Sequence, residues 1–323
     1  MTSTTRTSEQ HSDALRRANG AMADRLFKGA AYGSGLLILG LLAAVAVFLL
    51  MRAWPVVAGS RSATQAVIAS FTGGRFDSFV QYVGPLLFGS VLVAALALAI
   101  AFFVSIGIAI FISQYASRRL AAGLNTVVDL LAAIPSVVYG LWGALVLVPA
   151  TYPFWDWTAQ HLGWIPLFAG PAANPPRTVA TVALVLAVMI LPIITSMTRD
   201  VFMQAPRLHQ EAALALGATK WETIKLAVLP FGRSGIISAS MLGLGRALGE
   251  TMAVLMILSP GFGYSFNLLE ASKDQTIAAN IAAQYAEADN LGVSVLIATG
   301  LVLFAITFGV NYAARRLTRK ATS

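Results

Sequence analysis

Residues 86–113 read LLFGSVLVAALALAIAFFVSIGIAIFIS and contain no charged side chain. About 20 apolar residues in a helix cross the hydrocarbon core of a bilayer, so this stretch predicts a membrane-spanning helix. The stretch is longer than the core is thick, and its helix is therefore expected to tilt or to project beyond the membrane. Five other stretches are apolar and long enough to be interpreted in the same way, at residues 30–51, 125–150, 178–198, 232–258 and 292–313.

The composition of the chain also indicates a protein surrounded by lipid. Of its 323 residues, 57% are hydrophobic and only 11% are charged, and the mean hydropathy is +0.74. Soluble domains carry roughly 25% charged residues, so a soluble fold would leave too much apolar surface in water. Cysteine is absent, which excludes disulfides and thiolate metal sites. The net charge of +8 comes from Lys and Arg near the ends of the predicted spans and does not indicate nucleic-acid binding.

The predicted fold is therefore an all-α polytopic membrane protein with six transmembrane helices. The membrane domain covers residues 30–313, between a polar tail at residues 1–29 and a second tail at residues 314–323. Lys and Arg number 16 in the tails, loops and helix ends on one side of the spans, and 5 on the opposite side. Because such residues collect on the cytoplasmic side of a membrane, both termini are predicted to lie in the cytoplasm.

An aromatic segment follows the third predicted span. Residues 151–168 include Trp155, Trp157 and Trp164, and the topology places them in a loop on the outer side. Trp and Tyr collect at membrane interfaces, so we interpret this segment as an anchoring belt in preference to a ligand contact.

No catalytic chemistry is evident in the sequence. A helical zinc pair needs Glu directly after its first His and a second His four residues on, but Gln210 follows His209 and Ala213 stands at the later position. No G-x-x-x-x-G-K-[ST] motif occurs, so this chain does not itself hold ATP phosphates in a P-loop. The sequence thus predicts no catalytic residue, no metal site and no cofactor. Any nucleotide would act through another subunit.

The loop between the fourth and fifth predicted spans is long enough to fold. Residues 207–230 read RLHQEAALALGATKWETIKLAVLP. Pro206 is suited to open a short helix, and Gly217 is suited to end it in a left-handed cap. A second short helix is then expected to run from Thr219 to Pro230. On this pattern alone, the loop could equally be a solvated connector.

The same loop resembles the EAA loop of ABC importer permeases. It has the EAA triplet at residues 211–213, then Gly217 after three intervening residues, and a Leu-Pro pair, although Ala227 stands where the family pattern has isoleucine. In that family the loop helix docks into a cleft on the ATPase subunit and transmits its closure. The resemblance therefore assigns ATPase coupling to Glu211, Ala212, Ala213, Gly217, Leu229 and Pro230.

Two further stretches narrow the resemblance. Residues 134–143, IPSVVYGLWG, and residues 242–254, LGLGRALGETMAV, are similar to the C-type (PstC) permeases of phosphate-specific ABC importers, and the similarity covers about residues 25–315. Met252-Ala253-Val254 favours the C-type subunit over its A-type partner. The resemblance implies a bacterial inner-membrane heterodimer with an A-type permease, an ATPase dimer and an extracytoplasmic phosphate-binding protein.

Arg246 is the one basic residue well inside a predicted span. Glu250 lies one helical turn away on the same face, and Gly245 and Gly249 form a G-x-x-x-G that allows another helix to approach closely. A charge at mid-helix costs roughly 2.5–3.5 kcal/mol on insertion scales, so both should face the bundle interior or water. A planar guanidinium fits a tetrahedral oxyanion, and Glu250 would keep the empty site near neutral, so both residues are predicted to line an anion path. The alternative is an ion pair that only stabilises helix packing.

Weaker candidates lie around the third predicted span. Ser136 and Tyr139, beside Pro135, are assigned to the same substrate path, although small polar residues in spans more often form hydrogen bonds between helices. Asp129 is expected in the first turns of that span, where the helix dipole would account for it.

The sequence thus predicts a permease subunit of an ATP-driven phosphate importer that contacts membrane lipid and not nucleic acid. The first alternative is an ABC permease for another oxyanion, such as molybdate or sulfate. The second is an ion-coupled secondary transporter or channel that uses Glu250 as a proton site. An intramembrane hydrolase lacks a recognisable pairing of nucleophile and base.

Overall fold

The computed structural model describes the backbone of residues 4–320 and the side chains of residues 27–316. Within this part the regular secondary structure is helical, apart from one isolated β-bridge between Thr178 and Ala271, and irregular segments connect the helices. The helices are α1 Thr4–Ala58, α2 Arg61–Thr72, α3 Phe79–Tyr115, α4 Arg118–Ala133, α5 Ser136–Leu162, α6 Val179–Met203, α7 Arg207–Ala215, α8 Lys220–Leu248, α9 Met252–Ile257, α10 Ile277–Gln284 and α11 Asn290–Lys320.

Six of these helices are long and apolar enough to cross a membrane: Phe27–Ala58 of α1, all of α3, α5, α6 and α8, and Asn290–Arg316 of α11. The predicted all-α fold and the number of spans are therefore confirmed. The predicted tails at residues 1–29 and 314–323 lie for the most part outside the described side chains. The division into a membrane domain and two tails stays a prediction.

The chain separates after Trp54 into two compact units, and the second, which begins at Pro55, contains helices α2 to α11.

Helix α6 is the centre of the second unit, because 72% of its span is buried. Ala94, Ala97 and Ala101 of α3 are fully buried, and side chains this small let α3 and α6 pack closely. On the α8 side, a Cβ atom at Gly243 would lie 2.8 Å from the Ile194 side chain of α6. Small residues at the contacts thus bring three spans together, as is usual in membrane bundles.

The third predicted span, residues 125–150, is wrong at both ends. Pro135 cannot donate a backbone hydrogen bond and keeps Ile134 extended, so α4 ends at Ala133 and a new helix begins at Ser136. At its far end, α5 continues to Leu162 through residues predicted to form a loop. Trp155 is buried there, and its indole N–H donates to Thr181 Oγ1 at 3.0 Å. Part of the predicted anchoring belt is therefore core.

The fifth predicted span, residues 232–258, is also displaced. Thr219 and Glu222 form a capping box that starts α8, which then runs without a break through Pro230 to Leu248. The expected second short helix is thus the first part of the span itself. A wide π turn at Ile224–Val228 ends two residues before Pro230, which has no N–H to donate back along the helix.

An irregular segment at residues 258–276 returns the chain from α9 to α10. It is held against α3 by the Ile277 N–H, which donates to Ser90 Oγ at 2.9 Å. Gly261 N–H donates to the backbone oxygen of Asp274 at 3.2 Å. The Asp274 side chain is 2% exposed, and neither of its oxygens has a hydrogen bond of ordinary geometry within the described region. Burial raises the pKa of this carboxyl to about 6, against a smaller lowering by the Ser265 backbone N–H.

Candidate functional site

Arg246 and Glu250 do not share a helix face. Helix α8 ends at Leu248, and Gly249 forms its C-cap, so the chain changes direction between the two residues. No ion pair joins them among the described side chains. The prediction that Arg246 and Glu250 lie one helical turn apart on the same face is therefore wrong. The alternative, an ion pair between them that stabilises helix packing, is wrong as well. Arg246 lies in the last turn of α8 and is partly exposed.

Glu250 caps the short helix α9. The carboxylate is 7% exposed, and Oε1 accepts a hydrogen bond from the Ala253 backbone N–H at 3.1 Å. A negative charge is favourable at a helix N-terminus, where the first N–H groups have no partner within the helix. At the other end of α9, the Arg177 guanidinium donates to the Met256 and Ile257 oxygens at 2.8 and 3.1 Å. Two charged side chains thus fix α9 beside Arg246.

Tyr139 connects the proline break to this region. Its hydroxyl donates to the Leu131 oxygen of α4 at 2.9 Å, across the Ile134–Pro135 break. Ser136 is half-buried at the start of α5. A Cβ atom at Gly140 would lie 2.8 Å from the Ala253 Cα, so glycine is needed where α5 meets α9. The two stretches that carried the resemblance therefore meet in space.

Arg246 lines a cavity of about 610 Å³ between α8 and α11. Gly245 faces the same cavity, and no atom lies within 4 Å of the position that its Cβ would take. The close helix approach predicted for the pair Gly245 and Gly249 is therefore not made within the described chain. The glycines of α8 that lie against α6 are Gly232, Gly235 and Gly243.

A polar cluster that the sequence did not reveal joins α4 to α6. Arg199 is buried, and its guanidinium donates to Asn125 Oδ1 at 2.9 Å and to Asp200 Oδ1 at 2.8 Å. Ser196 donates to Asp129 Oδ1 at 3.1 Å, and Arg199 lies 3.8 Å from the same oxygen. The helix-dipole interpretation of Asp129 is wrong, because its carboxylate belongs to this cluster near the end of α4. The spacing of these residues along the chain gives no signal for the cluster.

The predicted coupling loop forms a helical hairpin. Helix α7 follows Pro206, as expected, and Gly217 has φ +86°, the left-handed conformation that ends it. Glu211 is exposed, and Leu216, next to the turn, is 89% exposed. Beside the turn lies an open groove of about 710 Å³, lined by residues of both helices, among them Ala212, Ala213, Gly217, Glu222 and Leu226. Leu229 and Pro230 lie farther along α8, after its π turn.

The described residues contain no group of three or more His, Asp or Glu side chains placed to hold a metal ion. The site is therefore assembled from two unlike parts. One is the cavity within the spans that Arg246 lines. The other is the hairpin of α7 and the start of α8, whose open groove is lined by small, apolar and charged side chains.

The chain is similar to known proteins in sequence and in fold. A family model described as binding-protein-dependent transport system inner membrane component matches residues 105–323. The phosphate transport system permease protein PstC 2 of Mycobacterium tuberculosis is 44% identical over 306 residues, which cover 91% of this chain and 91% of the relative. The phosphate transport system permease protein PstC of Xylella fastidiosa is 38% identical over 330 residues and covers 99% of both chains.

Two solved structures show the same fold. The inward-facing MetNI methionine ABC transporter matches with a TM-score of 0.52 at 17% identity, covering 74% of this chain and 97% of the other. A bacterial ABC transporter involved in the import of the acidic polysaccharide alginate also has a TM-score of 0.52, at 18% identity, with 91% and 99% covered.

Proposed function

The chain belongs to the binding-protein-dependent transport system inner membrane components, in the family of the phosphate permeases PstC, and from this premise we propose its function in detail. It is the transmembrane permease subunit of an ATP-driven importer of inorganic phosphate and forms half of the translocation path. The observation that carries this conclusion is the similarity to PstC proteins over at least nine-tenths of the chain, which includes every span.

The protein is a multi-pass membrane protein, and its family supplies permease subunits that work with an ATPase and a substrate-binding component. The partners we propose are an A-type phosphate permease, an ATPase dimer and an extracytoplasmic phosphate-binding protein. The exposed hairpin around Gly217 is the proposed ATPase contact. ATP hydrolysis then takes place in a partner chain, and this subunit transmits the resulting movement.

Within the membrane, Arg246 is the proposed contact for the transported anion. It is partly exposed, lines a cavity and forms no ion pair in the region described, so its charge is available to a ligand. Tyr139 and Ser136 are proposed to border the same path. Glu250 contributes by fixing α9 and thereby the end of α8. An ion-coupled transporter would need Glu250 as a proton site, but its carboxylate is already used as a helix cap.

Selectivity for phosphate over other oxyanions is the first test. We expect the complete importer in proteoliposomes to accumulate radioactive phosphate only when ATP is supplied, and a tenfold excess of sulfate or molybdate to compete weakly. The physical reason is that protonated phosphate can donate a hydrogen bond to a hydroxyl oxygen on the path, such as that of Tyr139, and sulfate at neutral pH cannot. If molybdate or sulfate competes as strongly as unlabelled phosphate, the alternative of an ABC permease for another oxyanion is favoured.

The orientation of the chain is proposed from the Lys and Arg distribution, with both termini in the cytoplasm. The native chain has no cysteine, so single cysteines give clean labels. Exposed Ser60 and Ser272 follow the first and precede the sixth span, and Ser60→Cys and Ser272→Cys should react with an impermeant maleimide applied to intact cells. Ala215→Cys, in the exposed loop helix α7, should react only after the membrane is opened. The reverse pattern would invert the topology.

A further inference from the structure

A long apolar groove lies between α3 and α8 in the second unit. One part of it is a cavity of about 520 Å³, with Ile306 and Val310 of α11 at its edge. The other part is a cavity of about 550 Å³ that is lined by residues of α3 and α8. Phe102 and Ile237 line both cavities, so the two are parts of one groove, which we call the α3–α8 groove.

The length of the α3–α8 groove matches a lipid chain. On α3 its lining runs from Val91 to Ile106, and the fifteen-residue separation corresponds to roughly 22 Å at the helical rise of 1.5 Å per residue. The hydrocarbon core of a bilayer is about 30 Å thick, so one leaflet contributes roughly 15 Å of it. The groove is therefore long enough to hold an acyl chain over its full length.

Small side chains on α3 keep the groove open. Ala95 and Ala99 lie one turn apart, and both are exposed and line the groove. Among the described residues that line this part, Ser240 has the polar side chain, and its hydroxyl already donates to the Ile236 oxygen at 2.8 Å. A lining of this kind holds hydrocarbon better than a hydrated ion, because it offers no further donor to a ligand.

A cationic side chain lies at one end of the groove. Arg233 is exposed, lines the groove beside Pro230 and forms no ion pair with the side chains that the structure describes. It belongs to the part of α8 that follows the hairpin, so the proposed orientation places it near the cytoplasmic surface. The cytoplasmic leaflet carries anionic lipids, and basic pockets between spans on that side bind their head groups.

We propose that the α3–α8 groove binds an anionic phospholipid, with the lipid phosphate on the Arg233 guanidinium and one acyl chain along Ala99 and Ala95. A guanidinium can donate two parallel hydrogen bonds to phosphate oxygens, and the apolar lining removes the chain from contact with other lipids. The observation that selects a lipid is the charge pattern, a single exposed cation at the end of an apolar groove. The site is independent of the transported ion, and only its leaflet follows from the proposed orientation.

The first measurement maps the acyl chain. The complete importer is placed in phosphatidylcholine vesicles that contain a phosphatidylglycerol with a photoreactive diazirine in one chain. Illumination should link this lipid to lining residues such as Phe102 and Ile237, which peptide mass spectrometry identifies. Ala99→Phe should reduce these links about fivefold, because the added ring fills the groove. Ile100→Phe is the matched control: Ile100 is the next residue, is 40% exposed and lines neither cavity.

The second measurement tests the head group in the same vesicles. Arg233→Gln should raise the amount of photoreactive phosphatidylglycerol needed for half-maximal linking about tenfold, the loss expected for a charge-assisted hydrogen bond. Arg119→Gln is the matched control, since it removes an exposed arginine at the start of α4 that lines neither cavity. Photoreactive phosphatidylcholine should link weakly and equally in both variants, and inorganic phosphate at millimolar concentration should not compete.

Each contrary result overturns the lipid site. Equal linking in Ala99→Phe and Ile100→Phe, or in Arg233→Gln and Arg119→Gln, shows that the lipid does not occupy the groove. Absence of links to the lining in the wild type, together with loss of permease pairing in Ala99→Phe, assigns the groove to a helix of the partner subunit. Competition by inorganic phosphate assigns Arg233 to the transported ion.

Discussion

Arg246→Ala should reduce phosphate uptake in cells roughly 10- to 100-fold, the loss expected when a charge-assisted hydrogen bond worth about 1.5–3 kcal/mol is removed. The amount of complex in the membrane should stay normal, because Arg246 is partly exposed and no described side chain forms an ion pair with it. Uptake of radioactive phosphate is measured beside the membrane level of each subunit.

Two further variants separate an anion contact from a structural role. Arg246→Lys keeps the charge but loses the planar fork, so uptake should fall to an intermediate value. Arg177→Ala removes an arginine that caps α9 and should lower the amount of complex itself. Full uptake by Arg246→Ala at normal expression would falsify the path assignment. If the complex fails to assemble with either Arg246→Ala or Arg246→Lys, the role of Arg246 is structural.

Exchanging the charges of Arg246 and Glu250 also distinguishes an anion contact from a structural role. In Arg246→Glu with Glu250→Arg, attraction between the two side chains would be kept if they formed a pair. The structure instead has Glu250 accepting from the Ala253 N–H, and arginine has no acceptor for that N–H. The double variant should therefore be inactive.

Gly217→Val should uncouple the permease from its ATPase. Gly217 has φ +86°, where a β-branched residue is strained by roughly 1–3 kcal/mol, so the turn between α7 and α8 would have to change. We expect loss of ATPase co-purification and a fall of about tenfold in the hydrolysis stimulated by phosphate-loaded binding protein. Gly217→Asn is the matched control, because asparagine tolerates the left-handed region and should retain most of both activities.

Glu211→Ala tests the polar part of the same contact. Glu211 is exposed on α7, so its removal should not disturb the permease fold and should weaken ATPase binding alone. Wild-type co-purification and hydrolysis in both Gly217→Val and Glu211→Ala would contradict the coupling assignment.

The spans were predictable where length and hydropathy decide the structure. Residues 86–113 fall within α3 and residues 178–198 nearly coincide with the start and middle of α6, because the backbone stays helical over the whole of each apolar stretch. The hairpin at Gly217 was predictable for a different reason. Pro206, Gly217 and Thr219 each have a strong local preference, and local preferences survive when a segment is exposed.

The helix ends near the site could not be read from hydropathy. At Pro135 the apolar pattern continues although the backbone breaks, so hydropathy places the start of the third span too early. After Leu248 the apolar stretch continues on both sides of Gly249 and Glu250, so hydropathy does not show that the helix ends there. Only tertiary contacts reveal the end of α8. Those contacts are the Glu250 cap and the Arg177 guanidinium, which lies far away in sequence.

The cluster around Arg199 was missed for the same reason. Asn125 and Asp129 meet Arg199 only because the break at Pro135 turns α4 back against α6. Long-range polar partners leave no periodic trace in a single sequence. An arginine within a span is costly, so the residue type alone indicated that Arg246 faces a cavity. The sequence did not reveal that Glu250 is not its partner.

The most direct test of the whole account is ATP-dependent phosphate accumulation by the complete importer in proteoliposomes, compared for wild type and Arg246→Ala at equal protein. We expect the wild type to accumulate phosphate only with ATP. The variant should hydrolyse ATP when loaded binding protein is added and yet accumulate phosphate only at the ATP-free level. Equal accumulation by both proteins, or accumulation by the wild type without ATP and ATPase, would contradict a phosphate path through Arg246 driven by a partner ATPase.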